Sequence, residues 1–183
     1  MTPERAKRMI QNGETLDVEF QGEERAPLSD ADLVETVVCL ANRSGEDPGW
    51  IFLGVEDDGR ITGARPRHPG NRTDPLRVQA LVAHSTRPKI TPRVRLMLID
   101  QQPVVVIEVS PSKTPITTAE GKHLRRVVGA DGRPVCLPYD VPEIESPPED
   151  DSDDDSDDHN DDNSDDAVPT SQDAGPYDGA PED

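Results

Sequence analysis

The sequence predicts one α+β domain over residues 1–145, followed by a disordered acidic tail over residues 146–183. Helical and strand-like hydrophobic periods alternate along the first part of the chain, and turn residues separate them. The last part of the chain contains almost no apolar side chains. An alternation of this kind is typical of a compact domain in which helices pack on a sheet.

Three segments carry the start and stop signals of helices. Pro, Ser or Asp opens each segment, and Gly, Ser or Pro follows its end. The predicted helices are Pro3 to Gln11, the segment from the Ser29-Asp30-Ala31-Asp32 capping pattern to Ser44-Gly45, and the segment from Asp74-Pro75 to Pro88. Cys39 lies on the apolar face of the second helix, which predicts a core position.

Strands are predicted where apolar residues alternate or form a continuous run. Trp50 to Val55 is continuous, which indicates a strand covered on both faces, and Asp58-Gly59 makes a tight turn after it. The other predicted strands are Leu16–Phe20, Val94–Ile99 with Val104–Val109 as a hairpin around residues 100–103, and Lys122–Val128 closed by a turn at 130–132.

Net charge divides the chain into two different polymers. All 19 Lys and Arg of the 183 residues lie before Ser146, together with 22 of the 38 Asp and Glu. Residues 1–145 therefore carry a net charge of −3, and residues 146–183 carry −16. No apolar run approaches the ~20 residues of a bilayer span, and Met1–Gln11 lacks the apolar stretch of a secretory signal. We therefore expect no membrane partner. Two cysteines are too few for a disulfide framework, so we expect a reducing, cytoplasmic location.

The acidic tail contains the run EDDSDDDSDDHNDDNSDD and cannot bury enough apolar surface to offset the entropy of ordering. A calcium loop is the more specific alternative, but the repeat lacks the mid-loop Gly and terminal Glu of an EF-hand. We expect a solvated, self-repelling tail. It can contact basic proteins, or compete with nucleic acid for a basic face of the same molecule.

Charge is also divided within the predicted domain. Residues 1–59 carry 5 basic and 14 acidic side chains, whereas residues 60–133 carry 14 basic and 5 acidic ones. Arginine dominates the basic half and favours phosphate recognition, although these charges can also mix on the folded surface and cancel. Only Tyr139 accompanies the basic stretch, so contacts to backbone phosphate are favoured over base stacking. The candidate nucleic-acid-binding residues are Arg60, Arg87, Arg93, Arg95, Arg125 and Arg126.

The order of several motifs resembles the Schlafen-type AlbA domain family over roughly residues 10–135. The motifs are Glu14-Thr15-Leu16-Asp17-Val18-Glu19-Phe20, Cys39-Leu40-Ala41-Asn42, the segment from Ile51 through Gly54-Val55-Glu56-Asp57-Asp58-Gly59 to Gly63, and Arg126-Val127-Val128-Gly129. The resemblance implies a mixed fold related to the Alba chromatin proteins and a DNA-binding or transcription-regulating role. It also implies a homodimer, because many Alba-type proteins pair.

Some eukaryotic members of this family are metal-dependent endoribonucleases, and the resemblance places their three carboxylates at Glu14, Glu19 and Asp57 or Asp58. Carboxylate oxygens suit Mg²⁺ or Mn²⁺, and such a metal can promote phosphodiester cleavage. Gln21 stands where the family motif has Lys, and an insertion splits the glycine pair of the A-N-T-x-G-G segment. The alternative is that the trio consists of turn residues and a carboxylate paired with Arg.

Other site patterns lack a required residue. Gly54-x4-Gly59 has the glycine spacing of a P-loop, but Arg60-Ile61 follows where Lys-Ser or Lys-Thr is needed. The four histidines have no paired spacing, neither cysteine has a C-x-x-C partner, and no serine occupies a nucleophile elbow.

The sequence therefore predicts a regulatory nucleic-acid-binding module, with DNA favoured ahead of RNA, that needs no cofactor for binding. The first alternative is an endoribonuclease that requires Mg²⁺ or Mn²⁺. The second is a protein-interaction module that acts through its acidic tail.

Overall fold

The computed structural model describes residues 1–140, which form an α+β domain with three helices and eight strands. In chain order the elements are α1 (Pro3–Gln11), β1 (Val18–Gln21), α2 (Asp30–Ala41), β2 (Gly49–Leu53), α3 (Pro75–His84), β3 (Thr86–Arg87), β4 (Arg93–Ile99), β5 (Gln102–Val109), β6 (Thr117–Thr118), β7 (Leu124–Val128) and β8 (Pro134–Pro138). None of the helices in this part of the chain has the length and apolar character that crossing a bilayer requires. The predicted acidic tail lies outside the described residues.

The main sheet has four strands in the order β1-β2-β5-β4. β1 and β2 are parallel, and the other two pairs are antiparallel. The pairs β3–β6 and β7–β8 form two further sheets of two strands each. The strands of residues 1–140 thus form three sheets. The β7–β8 hairpin packs on α2 and does not extend the main sheet.

Helices cover both faces of the main sheet. On one face, Ala6 and Ile10 of α1 pack in a cluster with Phe20 and Phe52. On the other face, the apolar sides of α2 and α3 pack on the alternate residues of β2, β5 and β4. All five residues of β2 are buried, which confirms the prediction of a strand covered on both faces.

The capping signals of the sequence are confirmed. The Ser29 hydroxyl accepts a hydrogen bond from the Asp32 amide at 3.0 Å, and the Asp74 carboxylate accepts one from the Leu76 amide at 3.0 Å. The β4–β5 turn is shorter than the sequence predicts. It contains only Asp100 and Gln101, both with positive φ, because the two residues that follow belong to β5.

Three strands have no counterpart in the sequence prediction. β8 begins and ends with proline, which argues against a strand on local grounds, although proline is tolerated at the end of an edge strand. β3 and β6 have two residues each, which is too short for any alternation to show. Only tertiary packing identifies these strands.

A disulfide joins Cys39 of α2 to Cys136 of β8, with their Cα atoms 5.9 Å apart. The expectation that two isolated cysteines remain reduced is therefore wrong for this structure. Cys39 does lie in the core, fully buried as predicted. The pairing has no sequence signature, because 97 residues separate the two cysteines and β8 itself was not predicted.

We expect the disulfide to stabilise the domain, because it closes a long loop and restricts the unfolded chain. Cys136→Ser is expected to lower the free energy of unfolding by about 2–4 kcal/mol in chemical denaturation. Reductant is expected to lower the stability of the wild-type chain by a similar amount and to leave Cys136→Ser unchanged. Equal stability of the two oxidised proteins would contradict this expectation.

Candidate nucleic-acid interface

Charged side chains are concentrated at both edges of the main sheet. β1 lies at one edge of the main sheet, and the acidic residues of β1 and of the loops beside it cluster there. β4 lies at the other edge, where it packs against α3. The basic residues of α3, β4 and their connection are Arg77, Arg87, Lys89, Arg93 and Arg95. The charges of the two halves therefore mix in part: Arg60, Arg67 and Arg126 pair with acids near β1, whereas the arginines of β4 lie at the other edge.

A cleft of about 620 Å³ opens on the α1 face of the sheet, beside β4. Arg5 of α1 and Arg93 and Arg95 of β4 line it, together with Trp50 of β2. Side chains two apart in a strand point to the same face, so Arg93 and Arg95 enter the cleft side by side. Both are in the set predicted from sequence. Arg5 and Trp50 are not.

The three guanidinium groups of this cleft make only loose contacts with the protein. The Arg5 Cζ lies 5.9 Å from the centroid of the Trp50 ring, a cation–π arrangement. Nη1 of Arg95 donates to a backbone carbonyl of the N-terminus at 3.3 Å. Nη1 of Arg93 is 3.5 Å from Glu108 Oε1, and the Arg93 side chain is 73% exposed. Each group retains N–H donors for an anion.

Three acidic residues also line the cleft, but two of them have cationic partners. Asp17 accepts a hydrogen bond at 2.6 Å from Nε of Arg43, whose side chain is fully buried. Glu108 faces Arg93. Among the described residues, the third acid, Asp47, has no ion-pair partner. Arg93 is shared with Glu108, so Arg5 and Arg95 remain against one unpaired carboxylate, that of Asp47.

Three other predicted arginines are held by the protein at separate places on its surface. Arg60 donates two hydrogen bonds to Glu24, at 3.1 and 3.0 Å, and this contact raises the pKa of Arg60 and lowers that of Glu24. Arg87 folds back onto backbone carbonyls of its own segment at 2.8 and 2.9 Å. Arg125 donates to the Ser44 hydroxyl at 2.6 Å. The structure does not bring these three side chains into the cleft.

Arg126 differs from the other predicted arginines because it is only 3% exposed. Its guanidinium forms an ion pair with Glu19 and donates to the backbone carbonyls of Thr15 and Val18 at 3.1 and 3.0 Å. All three guanidinium nitrogens are thus directed at the segment that contains β1. Arg126 joins two parts of the fold and presents nothing to an external phosphate.

The predicted carboxylates occupy two different places. Glu14 and Glu19 interact with each other, and Glu14 also accepts a hydrogen bond from the Phe20 amide at 2.9 Å. Asp57 and Asp58 line a cavity of about 460 Å³ that does not include Glu14 or Glu19. Within residues 1–140, no group of three or more His, Cys, Asp or Glu is arranged to hold a metal ion.

The Glu19 carboxyl has a shifted pKa. Burial raises its pKa to about 7, the charge of Arg126 lowers it, and the nearby Glu14 carboxylate raises it. The Gln21 amide, which stands in place of the family's lysine, donates to Glu19 at 2.9 Å. Both oxygens of this carboxyl are thus bound within the protein, one by the Arg126 guanidinium and the other by the Gln21 amide, which leaves little for a metal ion.

Sequence reasoning also missed a buried acid. Glu23 is 1% exposed and accepts hydrogen bonds from the Leu28 and Arg65 amides at 2.9 and 2.7 Å. Its carboxylate also pairs with Arg67 at 3.4 Å. It therefore fixes the loop between β1 and α2 against the segment that follows β2. No local signal distinguishes Glu23 from the exposed Glu24 beside it.

Comparison with known proteins gives one family match. The family model described as Schlafen, AlbA_2 matches residues 14–133. No curated protein matches the chain.

Two solved structures are similar to this fold. The crystal structure of the DIP2311 protein from Corynebacterium diphtheriae is 24% identical with a TM-score of 0.51 and covers 69% of this chain. The chain spans only 22% of that protein's length. The solution structure of the N-terminal domain of a RecG-related protein from Nitrosomonas europaea is 21% identical with a TM-score of 0.47, covering 65% of this chain and 81% of that one.

The pKa of Glu19 gives stability a dependence on pH. Between its ordinary value of 4.5 and the native value of about 7, the native chain holds a proton that the unfolded chain has lost. The free energy of unfolding is therefore expected to fall as pH rises from 5 to 8, by up to about 3 kcal/mol. Glu19→Gln keeps an acceptor for Arg126 and removes the titration. Denaturant unfolding across this pH range should give a flatter profile for Glu19→Gln, and parallel profiles would contradict the assignment.

Proposed function

Because the chain belongs to the Schlafen AlbA_2 family, we propose that it is a regulatory nucleic-acid-binding module that contacts backbone phosphate through arginine. The observation that carries this proposal is the convergence of Arg5, Arg93 and Arg95 in one cleft at the basic edge of the sheet. Three guanidinium groups with free donors form a suitable site for the oxygens of adjacent phosphates.

The composition of the cleft favours backbone contacts over base recognition. Trp50 is its aromatic side chain, and it is only 8% exposed, with Arg5 over the ring. A ring covered in this way is not available for stacking on a base. Arginine contacts to phosphate carry no sequence information, so we propose binding with little sequence preference. We propose duplex DNA ahead of RNA because the resemblance to the family implies a DNA-binding or transcription-regulating role.

The acidic tail influences this interaction through its charge. Residues 146–183 carry a net charge of −16 and belong to the same chain as the cleft. A tethered polyanion has a high effective concentration near its own domain. The tail therefore competes with nucleic acid for the basic edge. Recruitment of basic proteins by the tail remains the alternative, and it rests on composition.

The endoribonuclease alternative has less support, because the donor set does not fit a metal. Glu19 is bound by Arg126, and Asp57 and Asp58 line a different cavity. The observation in its favour is that Glu14 and Glu19 are neighbours and that burial raises the pKa of Glu19. We derive no catalytic step from this arrangement.

Binding of duplex DNA by the full-length chain is expected to weaken steeply between about 50 and 200 mM salt, because each neutralised phosphate releases counterions. Changing Arg93 and Arg95 to Gln together is expected to reduce the slope of log K against log salt by about 2. Arg25→Gln is the matched control, since Arg25 is an exposed arginine at the acidic edge. Fluorescence anisotropy with labelled duplex DNA measures both quantities. A salt-independent affinity, or equal effects of the two variants, would contradict the proposed interface.

The same preparation tests for cleavage when it is incubated with structured RNA and Mn²⁺ at low salt. We expect a retarded but intact band on a gel. Products that disappear with EDTA and with Glu19→Gln would establish the nuclease alternative, and would show that Gln21 is compatible with activity.

A further inference from the structure

The outer edge of β4 combines two unusual features. Leu96 and Leu98 are 49% and 68% exposed on the sheet face that α3 partly covers. Within residues 1–140, no strand pairs with the outer side of β4. Natural edge strands are usually protected by charges, bulges or a covering element. Arg93 and Arg95 charge the α1 face of β4, but Leu96 and Leu98 on the other face are only partly covered by the described part of the chain.

The β4–β5 hairpin determines which backbone groups point away from the sheet. Its turn has two residues, so the flanking pair Ile99 and Gln102 is a hydrogen-bonded pair. Hydrogen-bonded residues alternate along β4, which directs the amides and carbonyls of Val94, Leu96 and Leu98 outward. The exposed leucines and the free backbone groups therefore belong to the same residues.

We propose that β4 pairs with β4 of a second copy of this chain, antiparallel and centred on Leu96. A two-fold axis perpendicular to the sheet then places Leu96 opposite Leu96 of the second copy, and Val94 opposite Leu98. These pairs, together with the symmetry-related pair of Leu98 and Val94, exchange backbone hydrogen bonds, because the amides and carbonyls of these residues already point outward. The two main sheets become one sheet of eight strands.

The side chains of β4 favour a second copy over other occupants. On the leucine face, this register pairs only apolar residues with one another. On the α1 face, Arg93 lies opposite Ile99 of the second copy and next to its Asp100. Asp100 is half exposed, with Lys7 as its partner, and the Arg93 contact with Glu108 is long, so both can form the intermolecular ion pair.

Arg95 opposes association in this register. It lies opposite Met97 and diagonal to Arg95 of the second copy, at roughly 7–8 Å between Cα atoms. Repulsion between the two guanidinium groups weakens with salt. Salt also weakens the two Arg93–Asp100 attractions, so association is expected to depend on salt far less steeply than nucleic-acid binding does.

Analytical ultracentrifugation of the full-length chain without nucleic acid tests the pairing. The weight-average mass is expected to rise from 20.0 kDa toward twice that value as the concentration increases. Leu96→Lys places two positive charges opposite each other at the two-fold axis and is expected to lower the association constant by roughly tenfold or more. Leu76→Lys is the matched control, because Leu76 is a 73% exposed leucine on α3 outside the pairing. Circular dichroism shows whether both variants keep the fold.

Cysteine substitutions test the register. Leu96→Cys places two cysteines directly opposite each other, with their Cα atoms within the separation that a disulfide allows. This variant is expected to cross-link under mild oxidation. Leu98→Cys keeps the thiols roughly 13 Å apart along the strand and is expected to remain uncross-linked in the same dimer. Equal cross-linking of the two variants would overturn the register. A wild-type chain that stays monomeric at all concentrations would overturn the pairing and leave the edge to the tail or to a strand of another protein.

Discussion

Arg126 of β7 enters the interior beside β1, and its contacts determine where the β7–β8 hairpin lies. A buried guanidinium must have its donors satisfied, and removing one partner of such a contact costs about 3–5 kcal/mol. Glu19 and two backbone carbonyls accept these donors. The Asn42 amide holds the same region, since it donates to the Leu124 carbonyl at 2.9 Å. The disulfide between α2 and β8 adds a covalent connection. The hairpin is thus fixed against the main sheet although it shares no strand pairing with it.

The same contact determines which edge of the sheet is available for ligand chemistry. Because Arg126 and Gln21 bind the Glu19 carboxyl, the acidic edge presents no convergent set of free metal ligands within the described residues. At the other edge, Arg93 and Arg95 keep most of their donors free. The order β1-β2-β5-β4 places β4 at the edge opposite β1. Arg60, Arg67 and Arg126 of the basic half pair with carboxylates near β1, whereas Arg93 and Arg95 lie at the β4 edge.

The sequence predicts those features that depend on neighbours along the chain. The Ser29 cap, the Asp74-Pro75 helix start and the fully buried β2 follow from local capping and periodicity. Side-chain partners depend on packing, and here local rules fail. Arg125 and Arg126 are adjacent and identical in type, yet one is partly exposed and contacts Ser44 while the other is buried. The strand alternates its faces, and only knowledge of which face meets α2 and β1 separates the two residues. The contacts of Arg5 with Trp50 and of Cys39 with Cys136 are of the same long-range kind.

The basic cleft and the open edge of β4 share a strand, and this links their energetics. In the proposed pairing, both clefts open on the same face of the extended sheet, with the two Arg93 side chains roughly 20 Å apart along the strand direction. A nucleic acid that contacts both clefts neutralises the repulsion between the two Arg95 side chains. Binding then favours association, and thermodynamic reciprocity requires association to favour binding by the same factor. A strand with arginines on one face and leucines on the other is suited to both interactions, because the phosphate contacts the arginine face and the second copy contacts the leucine face and the outer backbone groups, with Arg93 taking part in both.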